Sequence, residues 1–310
     1  MTARALVLVL LVAVAACAPS EPPPTPPTFL PASLSPAPGS ASPADDEVVV
    51  LAAGDVAACD SDGDEATAAL LDVQPGTVLT LGDHAYPDGS AADYAECYDP
   101  SWGRHRDRTR PVPGNHDYDT PGAGPYFAYF GVRAGAPGEG WYSFDLGAWH
   151  VIALNSNCDD VGGCDANSPQ AAWLIADLRA HRAACTLAFW HHPRWSSGIE
   201  HGSDSRTDTF WRMLLDAGAD LVLSGHEHHY ERFRPMDADG GPASAGMISF
   251  VVGTGGRPLY EYGSALPTSA ARDNSTLGLL RLTLGPDQAD WEFLSATGGT
   301  FNDAGSTGCR

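Results

Sequence analysis

The sequence predicts an α/β domain of two packed sheets flanked by helices. Three observations carry this. Short apolar, β-rich runs alternate with amphipathic stretches from Glu47 onward; most runs stop abruptly at Gly and a polar residue; and the last third is strand after strand. Buried strands are expected at 48–51, 77–81, 185–190 and 219–223. A hairpin spans 141–154, split by Leu146-Gly147-Ala148. One helix starts at Ser168-Pro169, an N-cap with proline at N1, and sets Trp173, Leu174 and Leu178 on one face. A second runs from about 204 to 217 and stops at Gly218. Strands at 247–252, 277–284 and 291–294 complete the domain, and no long repeat interrupts it.

The 310-residue chain is 43% hydrophobic, which excludes a wholly disordered polymer. It carries 39 acidic against 17 basic side chains, all 17 of them Arg, for a formal charge of −22. Such a surface repels phosphate backbones, so no nucleic-acid partner is expected.

Residues 1–17 have the form of an export signal. Basic Met1 to Arg4 precede an apolar run that is too short for a bilayer core of ~30 Å. Val14-Ala15-Ala16-Cys17 resembles a bacterial lipobox, which implies cleavage before Cys17 and a lipid anchor on its sulfur. Ala16-Cys17-Ala18 also fits ordinary secretion, and either route places the protein outside the cytoplasm. Residues 18–45 contain ten prolines and few large apolar side chains, the composition of an extended, unfolded tether. The folded domain is therefore expected at 46–310. Its six cysteines, Cys59, Cys97, Cys158, Cys164, Cys185 and Cys309, suit up to three disulfides in an exported chain. Cys158 and Cys164, across a Gly-containing loop, form the expected local pair.

The residues just past each strand carry more information than the strands themselves. Gly54-Asp55 comes after the first strand, and Gly82-Asp83-His84-Ala85-Tyr86 after the second. Gly114-Asn115-His116-Asp117 comes after the short run 110–113, and His191-His192-Pro193 after the strand at 185–190. Gly225-His226-Glu227-His228-His229-Tyr230-Glu231-Arg232 comes after 219–224. Ligand-binding groups gather beyond the carboxyl ends of such strands. Five strand ends should thus meet in one crevice, with Gly supplying tight turns before the polar residues. Carboxylate, phenol, amide oxygen and imidazole together suit a hard trivalent ion beside a borderline divalent one.

That ordered set resembles the purple acid phosphatases, within the calcineurin-like metallophosphoesterases. The resemblance covers about 46–310 and is most specific at Gly225 to Arg232. It implies a four-layer α-β-β-α sandwich and an exported hydrolase of small phosphomonoesters using two metal ions, Fe3+ with Zn2+, Fe2+ or Mn2+. By position it implies Asp55, Tyr86 and His228 on the first metal, Asp83 bridging, and Asn115, His191 and His226 on the second. His116 and His201 would contact phosphate and serve as candidate acids for the leaving group, and Asn115 would also touch substrate. Three departures stand out: Ala57 replaces the family's second Gly, Ala188 a usual Val, and the Pro-rich tether an N-terminal β-sandwich. A phosphodiesterase or nucleotidase with the same site is one alternative; a surface-tethered binding module with a structural metal site is another.

Other residues have plainer expectations. His150 reads as a satisfied core residue, His105 and His181 as solvated. His84, His192 and His229 are candidates for supporting the ligands. Arg104, Arg106, Arg108 and Arg110 read as a charged face. Asp60-Ser61-Asp62-Gly63-Asp64 resembles a calcium loop, but Glu65 and Leu71 occupy the positions that need Gly and Glu, so no EF-hand is expected.

Overall fold

A computed structural model describes residues 47–310. The export signal, Cys17 and the Pro-rich segment lie outside the described residues.

The first sheet has six strands in the order Ala304–Gly308, Gln288–Ser295, Gly278–Leu284, Val48–Ala53, Thr77–Thr80, Thr109–Pro111. The last three run parallel, and the first three are antiparallel additions. The second has seven: Ser269–Asp273, Tyr230–Phe233, Ile248–Val252, Leu221–Ser224, Cys185–Phe189, Trp149–Ala153, Tyr142–Leu146. Its four strands from Ile248–Val252 to Trp149–Ala153 are parallel.

Side chains alternate across a strand, so one strand can serve two cores. In the second sheet Val151, Leu187, Leu223 and Phe250 join Val50, Leu79 and Leu282 of the first sheet in the central core. Their neighbours Ile152, Ala188, Val222 and Val251 instead meet Leu174, Phe210, Trp211 and Leu214 of the helices Pro169–Ala180 and Asp208–Ala217. Helix Gly63–Val73 packs against the first sheet through Ala68 and Leu71. The result is the expected four-layer α-β-β-α sandwich.

Local signals act where the sequence places them. Ser168 Oγ accepts from the Ala171 amide at 3.1 Å, with Pro169 at N1. Gly218 ends its helix at φ 84°. That helix starts later than expected, at Asp208, behind the short 3-10 turn Ser205–Thr207. Two of the strands that local sequence does not announce have weak intrinsic preference. Ser-Ala-Ala-Arg-Asp (Ser269–Asp273) and Ala-Gly-Ser-Thr-Gly (Ala304–Gly308) have little β-propensity; each is an edge strand held by its paired neighbour. The Asp-rich segment near 60–64 is the entry to helix Gly63–Val73, where Asp64 and Glu65 suit the positive end of the helix dipole.

Three disulfides form: Cys59–Cys97, Cys158–Cys164 as expected, and Cys185–Cys309. The last spans 124 residues and ties the chain end beyond the first sheet's edge strand to the second sheet. Intact-mass analysis under alkylation should find none of these six thiols free. Replacing Cys185 and Cys309 together by Ser should cost about 2–5 kcal/mol in chemical denaturation. Equal stability of that variant would show that the bond adds nothing to sheet packing.

Candidate metal centre

Asp55, Asp83, Asn115, His191 and His226 each lie within four residues beyond the carboxyl end of a parallel strand, three from the first sheet and two from the second. His228 follows His226 on the same loop, and Tyr86 belongs to a two-residue strand paired with Ala57–Ala58. The structure thus brings all seven expected ligands into one cluster spanning the gap between the sheets.

Backbone strain concentrates here. Among the described residues, four non-Gly residues have positive φ, and three are Asp55 (62°), Asp83 (51°) and His226 (69°). Such conformations cost free energy and persist where surrounding packing over-determines them. The glycines therefore do a different job from the one expected. Gly82 does turn left-handed, at φ 89°, but Gly54, Gly114 and Gly225 do not. They are needed because neighbours crowd them: a Cβ on Gly225 would sit 2.8 Å from an Asp55 carboxylate oxygen, and one on Gly54 2.9 Å from the Leu81 carbonyl. A Cβ on Gly114 would collide with the Asp83 carboxylate.

The cluster has two halves. In the first, the Tyr86 hydroxyl lies 3.0 Å from Asp83 Oδ2, 3.3 Å from Asp55 Oδ1 and 3.1 Å from His228 Nε2. His228 Nδ1 is 3.0 Å from the Pro258 carbonyl, which can only accept, so Nε2 presents its lone pair to the cluster. One phenolic proton faces three acceptors and can satisfy one of them well. In the second half, His191 Nδ1 donates to the Leu81 carbonyl at 2.7 Å. Its Nε2 then faces Asn115 Oδ1 at 3.1 Å, His226 Nδ1 at 3.1 Å and Asp83 Oδ2 at 3.3 Å. Asp83 belongs to both halves, as a bridging ligand must.

The electrostatics state the same shortage of positive charge. Burial pushes the Asp83 carboxyl up, but His191, His116 and His226 outweigh it and hold it well below the usual range. Burial alone would lower His191, yet Asp83 outweighs it and raises it to about 9. Burial, then Asp83 and Asp55, push the Tyr86 phenol far up. Burial and the neighbouring His191 push His226 down. Oxygen and nitrogen donors that converge on shared points, with too few protons to separate them, fit metal ions.

His116 and His201 flank the two halves. The His116 ring lies 4.4 Å from the Tyr86 ring, with Nδ1 on the Pro87 carbonyl at 2.6 Å. The His201 ring stacks 4.1 Å above that of His226. Neither is buried.

Of the supporting histidines, His192 packs its ring 4.4 Å from His226 and meets Ser156 Oγ at 2.8 Å. His84 turns into an aromatic pocket of Tyr98, Tyr126 and Phe130 and reaches the cluster only through Asp117. His229 is enclosed between Glu227 and Glu231. The arginine run is occupied as a charged face: Arg104 pairs with Glu65 and Asp72, and Arg108 caps the carbonyls of Leu71 and Gly76. His105 is less solvated than expected, bonded to Asp72 at 2.9 Å.

Four contributors had no expected role. Asp117 accepts from the Gly114 and Asp83 amides, at 2.8 and 3.2 Å, so one carboxylate joins two ligand loops. Glu227, fully buried between two ligands in sequence, accepts from the His201 amide at 2.9 Å and from the Gly202 amide. Tyr260 stacks on His228 with centroids 3.9 Å apart, and Arg257 lies 4.3 Å over the Tyr86 ring. Asp117 and Glu227 sit inside the motifs and were legible there as carboxylates; Arg257 and Tyr260 lie in a loop with no motif of its own.

The chain is similar to known proteins in sequence and in fold. The family model described as calcineurin-like phosphoesterase matches residues 47–230. Purple acid phosphatase 15 of Arabidopsis thaliana is 27% identical over 224 residues, covering 60% of this chain and 41% of that protein. Phosphoenolpyruvate phosphatase of Allium cepa is 28% identical over 177 residues, 50% of this chain and 36% of that one. The chain thus spans less than half the length of either relative. Among solved structures, purple acid phosphatase PPD1 from yellow lupin (Lupinus luteus) seeds superposes with a TM-score of 0.68 at 18% identity, over 88% of this chain and 55% of that one. GAP50 of Plasmodium superposes with a TM-score of 0.65 at 17% identity, over 85% and 89%. With a family match over more than half its length and purple acid phosphatases among its relatives, the chain belongs to the calcineurin-like phosphoesterases.

Proposed function

We propose that this protein is an exported phosphatase that hydrolyses small phosphomonoesters at a two-metal centre. The observation that supports it most is the seven-residue cluster shared about Asp83, with His116 and His201 beside it. The fold alone does not decide the matter, since a protein described as an anchor in the inner membrane complex of Plasmodium shares it. The ligand set favours catalysis: it exceeds what a structural metal needs, and beside it stand two histidines that no ligand role explains.

Asp55, Tyr86 and His228 would hold one ion, Asn115, His191 and His226 the other, with Asp83 between them. Fe3+ beside Zn2+, Fe2+ or Mn2+ suits this donor set. Two such ions, when bound, hold phosphoryl oxygens, acidify a water and offset the charge of in-line displacement. The chain's own residues then orient the ester and manage protons. Asn115 and His116 would grip phosphate oxygens from one side. His201, stacked on His226, would protonate the departing oxygen, a contribution of about 10²–10⁴-fold. Glu227 would act as a positioning residue, because its carboxylate holds the His201 backbone.

Two measurements test these roles. His201→Ala should slow alkyl phosphates far more than aryl phosphates, whose leaving groups need little protonation. Equal losses would leave His201 as a phosphate contact only. Glu227→Gln should lower kcat roughly 10–100-fold, as loss of an outer partner commonly does, while metal content stays constant. A parallel drop in metal content would show instead that Glu227 supports the ligands.

Export and lipid attachment are supported by the first 17 residues and by the three disulfides. Cys17→Ser should abolish membrane partitioning of the mature protein; unchanged partitioning would exclude the lipid anchor.

A further inference from the structure

The loop between the strands Ile248–Val252 and Ser269–Asp273 passes the first half of the metal centre and is pinned there at several points. The Arg257 amide donates to the Asp55 carbonyl at 3.0 Å, and the Tyr260 amide to the His228 carbonyl at 2.8 Å. Between them the Pro258 carbonyl meets His228 Nδ1 at 3.0 Å. Gly256, just before Arg257, has no room for a Cβ, which would collide with the Val56 carbonyl. The backbone that carries Arg257 is therefore fixed against two expected ligands of the same ion. Its guanidinium carbon lies over the Tyr86 ring, 4.3 Å from the centroid.

We propose that Arg257 is a positioning residue that acts on the first metal through Tyr86: its cation sits on the face of the ring and restrains the charge that the phenolate gives to iron. This rests on Tyr86 binding Fe3+, as proposed above. A guanidinium over an aromatic face is attracted to the negative face of the ring. The attraction grows when that ring carries a full negative charge, and it is weakly screened here, because Tyr86 is buried and the Arg257 side chain is 25% exposed. A cation in this place lowers the energy of the donor orbitals on the ring. The phenolate then gives less charge away, and the ion keeps more of its Lewis acidity, as groups behind a ligand commonly arrange.

The rival account is an ion pair that merely parks the arginine beside Asp60. Arg257 Nη1 is 3.6 Å from Asp60 Oδ1, longer than a hydrogen bond, and that carboxylate is 87% exposed. Pairs of this kind contribute little. Arg257 Nε is buried and has no hydrogen-bond partner among the described residues. Polar contacts therefore leave the place of the guanidinium unexplained, and the ring beneath it accounts for it.

The test is the visible spectrum and midpoint potential of the iron-loaded full chain, with Arg257 replaced by Gln, Met or Lys and iron content measured in each. Loss of the cation raises the donor orbitals of the ring, so Arg257→Gln should move the absorption band to longer wavelength. The same loss favours Fe3+ over Fe2+, so the potential should fall. Arg257→Lys keeps a positive charge and should return both readings toward wild type. Arg257→Met, also neutral, decides the matter if Arg257→Gln fails to fold. A band and potential unmoved in the neutral variants, with iron content unchanged, would overturn the role. Equal shifts in Arg257→Gln and Arg257→Lys would overturn it too, because shape rather than charge would then be the cause. A colourless iron-loaded wild type is a separate failure: it removes Tyr86 as a ligand, and this role with it.

Discussion

Asp83→Asn is expected to lower phosphatase turnover by more than the roughly 10–100-fold that follows loss of an outer partner, with metal content reduced and the fold intact. Asp83 is the one carboxylate placed in both halves of the cluster, 3.0 Å from the Tyr86 hydroxyl and 3.3 Å from His191 Nε2. The substitution is chosen for the backbone. Asp83 sits at φ 51°, a left-handed conformation that Asn tolerates better than most residues. The amide keeps an acceptor for the His116 amide, now 2.9 Å from Asp83 Oδ1, so the loop should hold its shape. What is lost is the negative charge and the second metal-binding oxygen. A correctly folded Asp83→Asn protein with full activity would be incompatible with a bridged two-metal centre.

Tyr86→Phe should remove the visible absorption of the iron-loaded protein while leaving most of the structure unchanged. Burial and the two carboxylates push the Tyr86 phenol far above its usual range. Its ionisation near neutral pH therefore requires a strong Lewis acid, which Fe3+ supplies better than Zn2+ or Mn2+. A phenolate on iron would donate charge and colour the protein. The ring itself is packed under Arg257, 4.3 Å away, and 4.4 Å from the His116 ring; Phe preserves both contacts. Spectroscopy and iron analysis read the effect without relying on turnover. An active, iron-loaded wild type without colour would show that Tyr86 only bonds to the ligands around it.

The two variants separate different claims. Loss at Asp83 with colour retained in Tyr86→Phe would keep the paired metals but move iron to other ligands. Colour lost at Tyr86 with little change in rate would mean that the phenol marks the first metal without tuning the reaction.

Much of this protein was set locally and so could be read from the chain. The strands at 48–53, 77–80, 185–189 and 221–224 are short apolar runs, and burial on both faces needs only that. Ser168-Pro169 and Gly218 mark helix ends because capping is a matter of neighbouring residues. The candidate ligands were legible because they cluster just beyond five strand ends, with no long-range information needed to find them.

Other features depend on what lies beside a residue in space. Gly54, Gly114 and Gly225 appear in sequence as turn residues, yet their requirement comes from the Leu81 carbonyl and from carboxylates of other loops. Ser269–Asp273 and Ala304–Gly308 are strands only because a neighbour offers unpaired backbone groups. Asp117 and Glu227 are visible as carboxylates, but only the fold aims them at the amides of other loops. His150 and His181, 31 positions apart, look like a core residue and a solvated one until a strand and a helix end stack them on Asp177. The sequence by itself determined the strand ends and the chemistry they carry, because both depend on adjacent residues. Tertiary structure alone decided which of those groups meet, which glycines are indispensable and where charge is left uncompensated, because such contacts join residues far apart in the chain.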